Sequence, residues 1–243
     1  MFLSTAVAAV VGAMLAADQT SSKRWAIFRR AAPLPGQVLD LTAWKISLPT
    51  TPDPTQVTMP ELADYSDSSF RVVSAVQFTA PVGGGVQDGA KYPRSELREM
   101  NSDGTAAAWS TTVGHHVMEL VQRITHLPTV KSELVAGQIH DANEYVVLIR
   151  LSSAELRAEY NGETIGTLDD NYVLNTVFSM RVEAGDGFID VFYNGERKAH
   201  QADTRDGCYF KAGCYTQSNG STGDSPDDYG QVEILDLTLG HTS

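Results

Sequence analysis

Hydrophobic and polar residues alternate along most of the chain from residue 39 onward. Alternation with a period of two places successive side chains on opposite faces of a β-strand. Segment 44–49 shows the pattern and ends at Pro49, and similar segments recur with short, turn-rich gaps between them. The predicted strands are 44–49, 70–73, 75–80, 94–100, 117–125, 130–140, 145–151, 155–160, 163–168, 176–184, 188–193, 208–217 and 231–239.

Turn signals separate these strands. Asn161-Gly162 and Asn194-Gly195 are typical of two-residue β-hairpins, because both positions tolerate a positive φ. Loops are predicted at 50–60, 81–93 and 218–228, and a small helix around 60–64. So many short strands with little helical periodicity predict an all-β fold, a β-jelly-roll sandwich of two antiparallel sheets. No repeat or linker interrupts the pattern, so residues 31–243 are predicted to form a single domain.

The first 17 residues form an apolar run that ends in small residues. Such a run is too short to span a membrane and is typical of a secretory signal peptide, the alternative being a buried N-terminal helix. Residues 18–30 end in Arg29-Arg30 and are a candidate propeptide. We therefore expect a secreted, extracellular protein and leave these residues out of the fold prediction.

Composition narrows the range of partners. The chain has 243 residues and a formal net charge of −12, which disfavours nucleic acid and anionic membranes as partners. An anionic substrate remains compatible if a local basic patch binds it. We expect a monomer without a nucleic-acid or membrane partner.

The two cysteines, Cys208 and Cys214, lie in one predicted strand. In a continuous strand their separation is about 20 Å, beyond the ~7 Å Cα limit of a disulfide. Either the strand is broken or both thiols are free and buried. No spacing of ligand residues resembles a metal site, so we expect neither a metal nor another cofactor.

Two of the predicted strands carry polar side chains of catalytic type on one face. Alternation groups Arg94, Glu96 and Arg98, with Glu99 on the opposite face; guanidinium groups around a carboxylate can bind a substrate carboxylate. The alternative is a surface ion-pair ladder.

Gln138 and His140 share a face of the second strand, where the histidine can serve as a base near neutral pH. The alternative is a solvent-facing polar pair. The other five histidines have no comparable neighbours in the sequence and are interpreted as structural or surface residues.

The third such strand, 208–217, has a polar face that carries Tyr209, Lys211, Tyr215 and Gln217. The alternative interpretation is an ordinary half-exposed strand. The three faces together lack a Ser or Cys nucleophile with a base and a carboxylate pair for glycoside hydrolysis. They suit an elimination, in which cations and amides stabilise an enolate while one group removes a proton and another donates one.

The three segments 94–98, 138–140 and 209–217 resemble, in sequence, order and spacing, the three motifs of polysaccharide lyase family 7, the alginate lyases. The similarity extends from segment 44–49 to the last strand. Thr216 departs from the Asn or Val that members often have, and alternation places it on the core side.

The resemblance implies a concave sheet with a substrate groove, and β-elimination of a 4-linked uronate chain by endo action, leaving 4,5-unsaturated ends. It implies that Arg94 and Gln138 neutralise the C5 carboxylate. His140 would act as the base or help this neutralisation, and Tyr215 would protonate the leaving O4. For mannuronate, Tyr215 could serve as both base and acid. The residues implied to bind substrate or orient these groups are Glu96, Arg98, Lys211 and Gln217, with Tyr209 and Arg150 as further groove candidates.

Two alternatives stay open. The substrate could be another polyuronate such as glucuronan, although the resemblance associates Ile139 with guluronate-containing substrates. A non-catalytic carbohydrate-binding jelly roll would keep the groove but need no base or proton donor, so the presence of His140 and Tyr215 argues against it. Loops 81–93 and 218–228 adjoin motif strands and could cover the groove.

Overall fold

The computed structural model describes residues 32–243. The predicted signal peptide and propeptide lie outside the described residues. Two short 3₁₀ helices, Pro35–Gln37 and Glu61–Asp64, accompany fifteen strands. The strands are β1 Trp44–Leu48, β2 Thr55–Val57, β3 Phe70–Val72, β4 Val76–Pro81, β5 Arg94–Glu99, β6 His115–His126, β7 Glu133–His140, β8 Tyr145–Ser152, β9 Glu155–Tyr160, β10 Glu163–Asp169, β11 Phe178–Gly185, β12 Phe188–Tyr193, β13 Glu196–Ala202, β14 Tyr209–Thr216 and β15 Tyr229–Thr242.

The strands form two antiparallel sheets, which confirms the predicted all-β jelly roll. The eight-stranded sheet has the order β10-β9-β8-β7-β14-β5-β1-β2, and the seven-stranded sheet has the order β13-β12-β11-β6-β15-β4-β3. Strand β14 is hydrogen-bonded to β5 on one side and to β7 on the other. The three strands that carry the motifs are therefore adjacent.

The core lies between the two sheets, because each strand turns its apolar face inward. Leu97 and Ile139 of the eight-stranded sheet and Phe78, Leu120 and Met180 of the other are all almost fully buried. Burial of a side chain of this size stabilises the fold by roughly 1.5–3 kcal/mol. The opposite face of the eight-stranded sheet carries the polar residues of the motifs.

The hairpin predictions are confirmed. Asn161 and Gly162 have φ values of 49° and 86°, and Asn194 and Gly195 have 49° and 83°. These turns connect β9 to β10 and β12 to β13. The small helix predicted around 60–64 is the second 3₁₀ helix.

Some strand boundaries differ from the prediction for identifiable reasons. Strand β7 begins at Glu133 rather than 130 because the Asp224 carboxylate binds the backbone N–H groups of Val130 and Lys131. Strand β2 lies within the predicted loop 50–60, where it pairs with β1 and forms the edge of the eight-stranded sheet. Both cysteines are free and buried, which is the second of the two alternatives. No helix within residues 32–243 is long and apolar enough to cross a membrane.

Candidate active site

A groove of about 830 Å³ lies over the polar face of the eight-stranded sheet. Strands β5, β14, β7 and β8 line it, together with loop residues 87–92 and turn residues 142–144. Seven of the predicted site residues line this groove, namely Arg94, Gln138, His140, Arg150, Lys211, Tyr215 and Gln217. Alternation within single strands and adjacency between strands thus place these side chains around one cavity.

The register of β14 determines which side chains meet. Lys211 lies opposite Arg98 on β5 and Gln138 on β7, and Tyr215 lies opposite Arg94. Between Ala212 and Tyr215 the pairing with β7 shifts by one residue, which is a β-bulge.

Glycine is required at the bulge. Gly213 has a φ of +132°, and a Cβ there would lie 2.7 Å from the Ser95 carbonyl oxygen. Glycine alone accepts this backbone conformation without strain. The bulge lets β14 keep continuous pairing with β5 while its pairing with β7 shifts.

Glu96 is the centre of the charged cluster beneath the groove. It is 2% exposed and contacts Arg94 Nη1 at 3.1 Å, Lys211 Nζ at 3.4 Å and Gln138 Nε2 at 2.5 Å. Burial raises the pKa of the Glu96 carboxyl, but Lys211, Arg94 and Gln138 together lower it below its ordinary value. Glu96 is therefore ionised, and it orients three side chains that line the groove.

Arg94 is held from two sides but keeps an unused donor. Its guanidinium carbon lies 3.8 Å from the centroid of the Tyr215 ring. Among the described residues its buried Nε has no hydrogen-bond partner. A buried donor without a partner costs about 1–3 kcal/mol, and the Arg94 side chain also lines the groove, where its guanidinium can contact a substrate carboxylate.

His140 is arranged to act as a base. Its Nδ1 lies 2.6 Å from the Asp141 carbonyl oxygen, which can only accept, so Nδ1 carries the proton and Nε2 of the neutral ring has the free lone pair. Burial lowers the pKa of His140, and the nearby Lys211 adds to this effect. The neutral ring is therefore the dominant form at neutral pH.

Tyr215 is arranged to act as an acid. Burial raises the pKa of its phenol, and although Arg94 opposes this effect the net direction is upward. The phenol is therefore protonated at neutral pH. His140 and Tyr215 present complementary protonation states at the same groove, as an acid–base pair requires.

Three predicted residues, Glu96, Arg98 and Tyr209, are not among the residues that line the groove. Glu96 is beneath the groove, as described above. Arg98 donates to the backbone carbonyl oxygens of Glu99 and Ala107 and stacks over Tyr209, with 3.9 Å from its guanidinium carbon to the ring centroid. The Tyr209 ring in turn stacks on His140, and its hydroxyl oxygen is 3.2 Å from Nδ1. The positions of Arg98 and Tyr209 suit orientation of the base.

Arg150 and Gln217 form a further polar group on the groove wall. Arg150 pairs with Glu159 at 2.9 Å and Glu133 at 3.4 Å, and it donates to Gln217 Oε1 at 3.0 Å. Two carboxylates thus already neutralise Arg150, in contrast to Arg94, which has one.

The loops have different positions relative to the groove. Residues 87–92 line it, whereas no residue of loop 218–228 does so in the described range. Loop 218–228 supports its neighbours instead: Asn219 donates to the Lys91 carbonyl oxygen, and Asp224 accepts from the backbone of Val130 and Lys131. Contrary to the expectation from sequence, loop 218–228 therefore does not cover the groove.

Several residues that line the groove were not among the predicted site residues, including Tyr92 and Lys131. Neither of these two lies in a strand of the structure, so alternation does not mark them. Their proximity to the motif strands β5 and β7 is the only sequence signal that could have found them.

A second polar cluster lies on the core side of β5. Glu99, also 2% exposed, accepts hydrogen bonds from Trp109 Nε1 at 2.9 Å and from the Phe210 backbone N–H at 2.8 Å. His241 Nε2 lies 3.0 Å from it, and His116 Nδ1 lies 2.8 Å from His241 Nδ1. Two of the histidines interpreted from sequence as structural or surface residues, His116 and His241, are thus part of one network. Within residues 32–243, no group of three or more His, Cys, Asp or Glu side chains has metal-binding geometry.

Comparisons with known proteins agree with this geometry. A family described as alginate lyase matches residues 39–241. Among solved structures, the alginate lyase AlgAT5 from polysaccharide lyase family 7 is 47% identical with a TM-score of 0.86, and the match covers 87% of this chain and 100% of that one. The alginate lyase from Corynebacterium sp. is 38% identical with a TM-score of 0.84, and the match covers 88% and 100% of the two chains. No curated protein matches the chain.

A more distant relative adds ligand complexes. The family-7 alginate lyase A1-II′ is 26% identical with a TM-score of 0.76, and the match covers 87% of this chain and 100% of that one. A tyrosine-to-phenylalanine variant of A1-II′ has been solved with the product GGG. A variant that also replaces a histidine by asparagine has been solved with the substrate GGMG.

Proposed function

Because the chain belongs to the alginate lyases of polysaccharide lyase family 7, and is therefore a polysaccharide lyase, we propose that it cleaves alginate by β-elimination within the polymer chain. The observation that carries the proposal is the position of a neutral His140 and a protonated Tyr215 on the groove that Arg94 and Gln138 also line. The A1-II′ variants captured with product and substrate alter the same two residue types.

The reaction begins at the uronate whose carboxylate meets Arg94 and Gln138. The Arg94 guanidinium and the second N–H of the Gln138 amide donate to that carboxylate. The surplus positive charge around Glu96, from Arg94 and Lys211, lowers the energy of the enolate that forms when C5 loses its proton.

Two proton transfers complete the elimination. His140 Nε2 takes the C5 proton, the electron pair forms the C4–C5 double bond, and the C4–O4 bond breaks as Tyr215 donates its phenolic proton to O4. The products are a new reducing end and a 4,5-unsaturated uronate. Proton exchange with solvent then restores neutral His140 and protonated Tyr215.

The separate base and acid favour guluronate as the residue that is cleaved, because its C5 proton and O4 lie on opposite sides of the ring. If Tyr215 performed both tasks on mannuronate it would first have to be a phenolate, which its raised pKa disfavours. Ile139 is fully buried on the core side, so any influence it has on preference acts through the strand rather than by contact with substrate.

Endo action and secretion are parts of the same proposal. The groove is larger than one sugar ring needs and spans four strands, which supports binding within a polymer. The apolar run of residues 1–17 supports secretion. N-terminal sequencing of the protein from culture medium, and the rate at which viscosity falls relative to product formed, test these two points.

The decisive experiment follows the ultraviolet absorbance of the unsaturated uronate with polymannuronate, polyguluronate and glucuronan as separate substrates. We expect product from the two alginate blocks, with polyguluronate cleaved faster. Product from glucuronan alone would show that the protein is a lyase but that alginate is not its substrate. No product from any of the three would overturn the proposed activity.

A further inference from the structure

Two residues beside Tyr215 belong to none of the three motifs. Lys131 and Tyr92 both line the groove. The Lys131 ammonium lies 3.0 Å from the Tyr92 hydroxyl oxygen and 4.7 Å from the centroid of its ring. The Tyr92 ring is 6.2 Å from the ring of Tyr215, centroid to centroid. The pair therefore lies directly beside the proton donor.

The charge of Lys131 is not neutralised within the part of the chain that the structure describes. Its ammonium contacts the Tyr92 hydroxyl group and ring, and no carboxylate of residues 32–243 lies within ion-pair distance of it. Arg150, on the same groove, has two carboxylate partners. In a chain of net charge −12, acidic groups are abundant, so a groove cation without one is available to an anionic ligand.

The backbone at Lys131 is held in place. Asp224 accepts hydrogen bonds from the N–H groups of Val130 at 2.5 Å and Lys131 at 3.0 Å. Asp224 is 6% exposed and also accepts from the Ser218 hydroxyl at 2.5 Å. Loop 218–228 thus anchors the residue whose side chain points at Tyr92, and the ammonium is presented from a fixed base.

The hydrogen bond between the two side chains determines what they offer to a ligand. An ammonium group can only donate, so the Tyr92 oxygen accepts from Lys131 and its own O–H hydrogen remains free. The remaining ammonium hydrogens and the Tyr92 hydroxyl hydrogen are then donors on one patch. A carboxylate, with two acceptor oxygens, matches such a patch, and a charged donor strengthens the contact.

We propose that Lys131 and Tyr92 form a carboxylate-binding subsite that holds the uronate adjacent to the one cleaved at Tyr215. This subsite rests on the proposed function, because its ligand is a neighbouring residue of the same polyuronate. It is a binding site and takes no part in proton transfer. Its contribution is the same in the ground state and the transition state, so it acts on KM.

The test compares the wild type with Lys131→Gln and Tyr92→Phe on oligouronides of increasing length. Lys198→Gln is the matched control, because Lys198 lies on β13 of the other sheet and pairs with Glu196. For long substrates we expect Lys131→Gln to raise KM by about fivefold with kcat unchanged, and Tyr92→Phe to raise it less. The difference should persist on the shortest substrate still cleaved, because cleavage requires the neighbouring uronate, and it should shrink at high salt, whereas Lys198→Gln should match the wild type throughout.

Two kinetic outcomes would overturn the subsite. An unchanged KM at every length would mean that Lys131 does not bind substrate, and a lower kcat at unchanged KM would make it a positioning residue for Tyr215. Thermal unfolding of Lys131→Gln checks that the variant is folded. If the wild type cleaves no polyuronate, the proposed activity fails separately. Equilibrium binding of polyguluronate then tests the subsite by itself, with equal affinity of wild type and Lys131→Gln overturning it.

Discussion

Glu96 and Glu99 lie three residues apart on the same strand, and each is 2% exposed, yet their surroundings differ in kind. Glu96 faces the groove among Arg94, Lys211 and Gln138. Glu99 faces the core side, where Trp109 and the Phe210 backbone donate to it. Burial of a carboxylate is unfavourable unless hydrogen bonds or opposite charges compensate. Two cations and an amide compensate the buried charge of Glu96, whereas neutral N–H donors and a histidine compensate that of Glu99.

The difference separates catalysis from stability. Around Glu96 the cations outnumber the anion, which leaves positive charge for a substrate carboxylate and an unpaired donor on Arg94. Around Glu99 neutral donors and His241 occupy the carboxylate oxygens, and the network ties β5 to β14 and β15. We therefore expect changes in the Glu96 cluster to affect turnover, and changes in the Glu99 cluster to affect unfolding.

The largest effect is expected from Tyr215→Phe, which removes the proposed proton donor of the groove and little else. Loss of a general acid lowers kcat by about 10²- to 10⁴-fold, while substrate affinity and thermal stability should stay close to the wild type. Steady-state kinetics with equilibrium binding measures this. Tyr65→Phe, which removes a hydroxyl bonded to Asp67 outside the groove, is the control, and full kcat in Tyr215→Phe would refute the assignment of the acid.

The next largest effect is expected from Glu96→Gln. The amide keeps the shape but no longer attracts Arg94 and Lys211, so both lose their orientation toward the substrate. Misplacement of such groups costs about 10²-fold in kcat/KM. Kinetics and thermal unfolding measured together give the comparison, with the exposed Glu163→Gln as control. A stability loss with near-normal kcat/KM would show that Glu96 has the role that we assign to Glu99.

The pH profile of kcat/KM should distinguish His140 from the histidines of the Glu99 cluster. The proposed mechanism needs neutral His140, whose pKa burial lowers below the usual histidine value of about 6.5. The rate should therefore fall tenfold per pH unit only below that lowered pKa. It should fall again on the alkaline side only above about pH 10, since burial raises the pKa of Tyr215 above the usual tyrosine value. Rates at constant ionic strength test this, and a profile that falls between pH 7 and 8 would contradict it.

The smallest effect on turnover is expected from Glu99→Gln. The neutral amide weakens the contact with His241, and its NH2 group replaces one oxygen that accepted a hydrogen bond. We expect these changes to lower the free energy of unfolding by about 1–3 kcal/mol. For a protein of this size each kcal/mol corresponds to roughly 2–4 °C in Tm. Calorimetry measures the loss, and kcat/KM with its pH profile should match the wild type. A large change in kcat without a change in Tm would contradict the stabilising role that we assign to Glu99.

Much of the fold and part of the site could be predicted from residue patterns. Alternation placed Glu96 and Glu99 on opposite faces and Thr216 on the core side, where the structure has all three. The Asn-Gly dipeptides located two hairpins because few residues accept positive φ. These are local properties of the chain, so the sequence pattern alone was sufficient to predict them.

The groove residues outside strands could not be predicted in this way. Lys131 and Tyr92 meet because Asp224, distant in sequence, anchors the backbone before β7. The network of His116 and His241 forms because β15 pairs with β6 along its length. No local pattern records such contacts, because they depend on how distant segments pack.

The sequence by itself determined which side chains share a face of each strand, since that follows from the two-residue repeat of extended backbone. Only the tertiary structure decided that β14 lies between β5 and β7, which places Lys211 and Gln138 against Glu96. Within residues 32–243 it also left the Nε of Arg94 without a hydrogen-bond partner and Lys131 without a carboxylate partner. Strand order depends on the free energy of the whole packed sandwich, whereas alternation depends only on the backbone of one strand.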